Sequence, residues 1–139
     1  MLCLAHIINR VGEVFSHWSA FDNVTQLITF INSAFFKKAS RKKRYIKWLE
    51  GSLPKEHVKL PPVPVATRWN SWFNAAKYHS SFVQFYEGFF KQEKSHGLAV
   101  HRILELVDDG RHHASYHNLR LNFIKENCIR LITVLTSLE

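Results

Sequence analysis

The sequence has few of the residues that make turns, disulfides and strand-rich folds. Its 139 residues include only five Gly, four Pro and two Cys. Alternation of apolar and polar residues is scarce, which argues against an all-β architecture. The two thiols, Cys3 and Cys128, lie near opposite ends of the chain, so they predict a reducing compartment and not a disulfide framework. We therefore expect a mainly helical globular protein.

The sequence also lacks a long hydrophobic run. The longest uncharged stretch, residues 23–36, is amphipathic and shorter than the ~18–20 residues that a membrane-spanning helix needs. The apolar start has no basic segment before it, as a secretory signal would have. We expect a soluble protein that has no membrane partner.

Arrangements that mark an enzyme are scarce as well. There is no Gly-rich phosphate loop after a predicted strand and no Ser/His/Asp pattern. Asp108 and Asp109 precede Gly110, which is typical of a turn and not of a two-metal site. His113 and His117 have a metal-binding spacing, but a solvated His-rich turn is the favoured interpretation. We predict no catalytic residue, metal, cofactor or small-molecule substrate.

Apolar residues at helical spacing predict a series of amphipathic helices. We expect Asp22 to cap the second helix, Gly51 to end the third, and the Asp108–Gly110 segment to end the fifth. The predicted stripes and helices are Leu4–Trp18, Val24–Phe35, a short basic helix with Tyr45, Trp48 and Leu49 on its apolar side, Arg68 to about Lys94, Leu98–Val107, and Leu121–Leu138.

Positive charge is concentrated in one block of the chain, whose formal net charge is +8. The block contains Lys37, Lys38, Arg41, Lys42, Lys43, Arg44 and Lys47, and no acidic residue. Such a field attracts polyanions, and Lys and Arg side chains contact phosphates. A nuclear localisation signal is a second interpretation, and a solvated helix face is the third. We expect nucleic acid as the partner and the nucleus as the location.

Two further segments combine residue types that bear chemistry. Arg68 and Trp69 follow the stiff Leu60–Pro64 stretch, and Thr67 offers an N-cap, so a guanidinium and an indole would open a helix. They could hold a phosphate and stack on an unpaired base, or the indole could pack in a core. Cys3 and His6 share one side of a helix, which makes half a zinc site at best, and a packed structural role is favoured.

Together, Cys3-x-x-His6 and, about sixty residues later, Thr67–Ser71 (TRWNS) resemble motifs of hAT superfamily transposases and of proteins derived from them. The resemblance covers residues 1 to about 90. It implies that Cys3 and His6 belong to the C-x-x-H motif beside the active site, and that Trp69 handles a flipped base. The family cleaves DNA with three acidic residues that hold divalent metal, and the resemblance assigns none of them to this chain. We therefore expect a truncated protein that has no autonomous transposition activity.

The resemblance also predicts how the chain is organised. Residues 1–66 would be the helical flank of an incomplete ribonuclease H-like domain, with a basic helix and a Pro-rich connector, and residues 67–139 would begin an all-α insertion. Helices that normally cover a sheet would expose their apolar faces, so we expect loose packing or self-association. The alternative function is a helical protein-interaction module that acts through such faces. The predicted residues for weak, largely non-specific DNA binding are Lys38, Arg41, Lys42, Lys43, Arg44, Lys47, Arg68 and Trp69.

Overall fold

The computed structural model describes residues 3–17, 19–65 and 71–112, and the regular structure in these ranges is entirely helical. The expected mainly-α class is therefore confirmed, whereas its assignment to a ribonuclease H-like domain stays a prediction. The predicted helix at Leu121–Leu138 lies outside the described residues. The helices are α1 (Leu4–His17), α2 (Asp22–Phe35), α3 (Ala39–Glu50), α4 (Ser71–Gln92) and α5 (Leu98–His112), with short 3-10 turns at Ser19–Phe21 and Lys55–His57.

Helix α2 lies at the centre of the packing, against both α4 and α5. Its apolar residues recur at helical spacing and therefore form one stripe along the helix. The predicted stripe is the buried one, since its members Val24, Leu27, Ile28, Ile31, Ala34 and Phe35 are all buried. Each large side chain that is fully buried contributes about 1.5–3 kcal/mol, so this face holds α2 firmly in the core.

Helix α4 is apolar over a wide arc, as the sequence predicted, and it packs on two sides. Near its start, Phe73, Ala75 and Ala76 form a small cluster with Phe21 and residues of α2. Further along, its aromatic side chains join α2, α3 and α5 in the main core. The α4 members of that main core are Tyr78, Phe82, Tyr86, Phe89 and Phe90.

Of three predicted helix ends, the one at Gly51 is confirmed and the other two are wrong. Asp22 is the first residue of α2 and not its cap, because Phe21 occupies the cap position without a side-chain hydrogen bond. Helix α3 does end before Gly51, but Gly51 keeps right-handed helical angles (φ −73°, ψ −15°). Helix α5 continues through the Asp108–Gly110 segment to His112. One Gly costs a helix only about 1 kcal/mol, which is too little to end a helix that is packed on its neighbours.

The core contains side chains from both sides of the predicted boundary at residue 66, and the division into two segments stays a prediction. Tyr45 of α3 and Tyr86 of α4, for example, belong to the same buried cluster. The connector between these helices is tied to α4, because the Tyr78 hydroxyl donates to the carbonyl of Lys59 at 2.6 Å. None of the described helices is both long and apolar enough to cross a bilayer.

The apolar stripes of α1 and α2, both within the predicted helical flank of residues 1–66, behave differently. The stripe of α2 is buried, as described above, so the expectation of loose packing is wrong for this helix. Helix α1 contacts α2 and α4 but leaves Leu4, Ile7 and Val14 exposed. Of these two stripes, only that of α1 leaves apolar side chains exposed.

Candidate nucleic-acid interface

Helix α3 carries the basic block, and its two faces have different environments. Tyr45 and Leu49 are fully buried against the core. On the opposite side Lys43 and Lys47 are exposed, as is Lys38 in the cap position just before the helix. The 3.6-residue period places Lys43 and Lys47 on the side away from Tyr45 and Leu49, so the interface candidate is the outer face of one amphipathic helix, with Lys38 just before its start.

Arg41 is a structural tie, because its guanidinium joins three parts of the fold. It donates to the carbonyl of Ala34 at 2.7 Å, to Glu93 at 3.1 Å and to the hydroxyl of Ser95 at 3.1 Å. Ala34 belongs to the last turn of α2, where carbonyls lack helical partners. With 14% of its side chain exposed, Arg41 is poorly placed to contact a phosphate.

Arg44 shares the same carboxylate from the outer side. Its Nε and Nη2 atoms donate to the two oxygens of Glu93 at 2.6 and 2.8 Å, in a bidentate pair. Glu93 is only 7% exposed, and the Arg44 hydrogen bond, assisted by Arg41, lowers its pKa below the ordinary value. More than half of the Arg44 side chain is exposed, so its outer edge remains accessible.

The lysines of the block have no comparable neutralisation. Lys38, Lys43 and Lys47 are exposed and Lys42 is half-buried, and no ion pair to any of them occurs among the described residues. The first turn of α3 contains no acid, although the positive end of the helix dipole lies there. Cations at this end repel each other and the dipole, so an external anion would relieve an unfavourable field.

A groove of about 600 Å³ lies between α3 and α4, beside the lysine face. The indole of Trp48 can lie this close to α4 because residue 88 is Gly: a Cβ atom there would lie 2.8 Å from Cζ2 of the indole. Trp48 therefore crosses α4 where that helix has no side chain. The residues that line the groove are Arg44, Lys47, Trp48, Phe89, Gln92 and Glu93.

Behind the inner face of α3, buried hydroxyls form a hydrogen-bonded chain. Tyr78 donates its proton to Lys59, so at the 3.2 Å contact between the Tyr45 and Tyr78 hydroxyls Tyr45 is the donor. Burial raises the pKa of Tyr45 to about 12 and raises those of Tyr78 and Tyr86 as well. These groups stay neutral and have a structural role.

His79 is the one buried polar residue in the described core. Its Nδ1 is hydrogen-bonded to the Tyr86 hydroxyl, and its Nε2 has no partner among the described residues. Burial lowers the pKa of His79 to about 3, since a charged imidazolium would lose its hydration there. His79 is therefore neutral at physiological pH.

The motif residues are only partly described. Arg68 and Trp69 lie outside the described residues, as do His113 and His117. Cys3, just before α1, and His6 lie on the same side as predicted, with the Sγ and Nδ1 atoms 3.0 Å apart. Both residues are exposed, so the favoured packed role of Cys3 is wrong. Across residues 3–17, 19–65 and 71–112, no group of three or more His, Cys, Asp and Glu side chains is arranged to hold a metal ion.

Two features of this surface were missed by the sequence analysis. The partnership of Arg41 and Arg44 with Glu93 spans 52 and 49 residues, and no local pattern indicates it. The groove likewise depends on two helices separated by the long connector, although the presence of Trp48 within the basic block hinted at an aromatic surface.

Compared with models of known protein families, with curated proteins and with solved structures, the chain matches none of them.

Proposed function

We propose that this protein derives from an hAT superfamily transposase and binds nucleic acid in the nucleus, without catalysing transposition by itself. The ancestry is supported by the Cys3-x-x-His6 and Thr67–Ser71 motifs, in that order along the chain. The observation that carries the binding function is the set of exposed lysines at α3: Lys43 and Lys47 on its outer face and Lys38 just before its start.

The chemistry of this face favours weak and largely non-specific DNA binding. A lysine ammonium is a mobile point charge that contacts phosphates without selecting a base. The bidentate arginine geometry that recognises guanine is occupied here, since Arg41 and Arg44 both bind Glu93. Arg68 and Trp69 stay predicted contributors to the same function.

A charge-matched pair of triple variants tests this proposal. In the first, Lys38, Lys43 and Lys47 are changed to Gln, and in the control Lys55, Lys59 and Lys77 are changed to Gln, all six being exposed. Fluorescence anisotropy with a labelled duplex is measured at several salt concentrations. We expect the first variant to reduce the slope of log K against log salt by about 2.7, because each phosphate contact contributes about 0.9.

The control removes the same charge from other surfaces, so we expect it to change the slope by less than one phosphate contact, ~0.9. Equal losses in the two variants would show that only net charge matters and would refute an interface on α3. Absence of duplex binding by the unmodified protein at low salt would refute the function itself.

A second candidate function is a protein-interaction module, and the exposed stripe of α1 favours it. Leu4, Ile7 and Val14 lie within an arc of about 80° at 100° per residue, so they are exposed on one side of the helix. Val14→Ser is compared with Val63→Ser, whose side chains are similarly exposed at 68% and 66%. If α1 mediates association, only Val14→Ser will shift the mass measured by size exclusion with light scattering. Identical masses for both variants and the unmodified protein would exclude this function.

A further inference from the structure

We propose that the groove between α3 and α4 binds one nucleotide of a single-stranded nucleic acid, with the base against Trp48 and its phosphate at Arg44 and Lys47. This inference rests on the proposed function, and it adds the form of nucleic acid that the basic surface prefers. The inference requires that the aromatic and charged residues of the groove act together, and three properties of the lining support it.

The first property is a fixed aromatic wall. Trp48 is half-buried, its indole contacts α4 at Gly88, and its ring centroid lies 6.4 Å from that of Phe89. The ring is therefore held by packing before any ligand arrives. A base stacked on such a ring gains affinity without a requirement for one sequence, since every base has a π-face.

The second property is the balance of charge at the rim. Arg44 and Lys47 are exposed cations that line the groove. Glu93 is the acidic residue of the lining, and its two oxygens already accept hydrogen bonds from Arg41 and Arg44. Three cations, Arg41, Arg44 and Lys47, therefore surround one carboxylate, so an incoming phosphate meets a net positive rim.

The third property is continuity with the lysine face. Lys43 and Lys47 lie at i and i+4 on α3, so they are neighbours on one side of the helix. Lys47 also lines the groove, and this places a basic track directly beside an aromatic pocket. Gln92 adds an amide that can donate to and accept from the edge of a base. A duplex keeps its bases stacked inside, whereas a single strand offers both the base and the phosphate.

The experiment measures the ratio of single-strand to duplex affinity at one low salt concentration. The probes are a labelled oligo-dT and a labelled duplex of equal length, and the variants are Trp48→Leu, Trp48→Phe and Trp72→Leu. Trp72 is a partly buried indole that packs in the other cluster, so Trp72→Leu is the matched control. We expect Trp48→Leu to lower the ratio about tenfold, Trp48→Phe to preserve most of it, and Trp72→Leu to leave it unchanged.

The outcomes separate this inference from the proposed function. If the lysine triple variant weakens binding but Trp48→Leu leaves the ratio unchanged, the lysine interface stands and the groove inference is overturned. If the unmodified protein binds neither probe, both are overturned. If Trp72→Leu lowers the ratio of single-strand to duplex affinity as much as Trp48→Leu does, the inference is also overturned, because the effect would then reflect a general loss of packing.

A second measurement does not depend on the stability of Trp48→Leu. The indole N–H signal of Trp48 in the NMR spectrum of the unmodified protein is identified by its absence in Trp48→Phe. Addition of oligo-dT is expected to shift this signal, whereas heparin, an anionic polymer without bases, should leave it in place. An unshifted signal at saturating oligo-dT overturns the inference.

Discussion

The inner and outer faces of α3 use their positive charges in different ways. On the inner side Arg41 is mostly buried and bound to three groups, while Arg44 reaches the same carboxylate from the outer side. On the outer side Lys38, Lys43 and Lys47 are exposed. The two sets are interleaved in sequence, so their separation is produced by the helical period and by the position of Glu93.

The difference follows from the chemistry of the two side chains. A guanidinium is planar, weakly hydrated and able to make several directed hydrogen bonds, so it suits a partly buried junction. An ammonium is compact and strongly hydrated, so it remains in water. The block thus contains a mostly buried structural arginine, Arg41, a half-exposed arginine that shares its carboxylate, Arg44, and exposed lysines. The predictions for Glu93 and Lys43 test that division, and those for His79 and Tyr45 test the core behind it.

The largest effect is expected from removal of the shared carboxylate. Glu93→Ala leaves Arg41, which is 14% exposed, without its charge partner. We expect the free energy of unfolding to fall by about 3 kcal/mol, the usual cost of removing one partner from a buried pair. Urea denaturation monitored by circular dichroism measures this loss.

The matched control is Glu50→Ala, which removes an exposed acid from the end of α3. A surface substitution of this kind should change the unfolding free energy by less than about 0.5 kcal/mol. Similar losses for Glu93→Ala and Glu50→Ala would contradict the structural role of the arginine junction.

The free energy of unfolding should fall in mild acid because His79 is buried in the core. In the unfolded chain His79 gains a proton below its ordinary pKa of 6.5, but the folded pKa is about 3, so protons favour the unfolded state between these values. We expect the unfolding free energy to fall by about 2 kcal/mol from pH 7 to pH 5. Glu93 contributes little in this window, because its lowered pKa costs stability only below its ordinary value of 4.5.

His79→Asn is the control, since it keeps a polar group near Tyr86 without a site that titrates in this range. Urea denaturation at pH 7, 6 and 5 should give a flatter pH dependence for this variant. An unchanged slope would show that the acid sensitivity comes from other groups.

A smaller loss is expected when the buried hydroxyl chain is shortened. Tyr45→Phe removes a hydroxyl that bonds Tyr78 and should lower the unfolding free energy by about 1 kcal/mol. Tyr78→Phe should cost more, because it also loses the bond to Lys59. The double variant measures the coupling, which we expect to be at least ~0.5 kcal/mol for residues in one network. Strict additivity of the two losses would contradict the contact.

The smallest effect is expected on the outer face. Lys43→Ala removes an exposed charge for which the described residues provide no ion pair, so thermal denaturation should show a change within about 0.5 kcal/mol. If this variant destabilises the protein as much as Tyr45→Phe, Lys43 stabilises the fold, and the division between structural and available charges is wrong.

Local patterns in the sequence predicted the helices better than the site. The stripe of α2 was predicted residue by residue, because one helix packed on a core repeats its burial every turn. The predicted end of α5 was wrong, since packing of the preceding turns outweighs the low helix propensity of a single Gly. His79 and Tyr86 were not predicted as core residues, although they are buried side by side on α4.

The site required contacts that no short pattern contains. The basic block predicted an electropositive surface, but the sequence alone assigned Arg41 and Arg44 to the same role as the lysines. Their partner Glu93 lies at the end of another long helix, so its position depends on the tertiary fold. The burial of Arg41, which removes it from the binding set, and the tie of Arg44 to Glu93 are therefore consequences of folding that composition does not show.

The contact between Gly88 and Trp48 also constrains how this chain can diverge. A methyl group at position 88 would lie 2.8 Å from the indole, so a larger residue there requires either a shift of the Trp48 ring or a smaller residue at position 48. Related sequences should show the two positions changing together. A lineage with a larger residue at position 88 and a smaller one at position 48 would lose the indole that forms the aromatic wall of the groove.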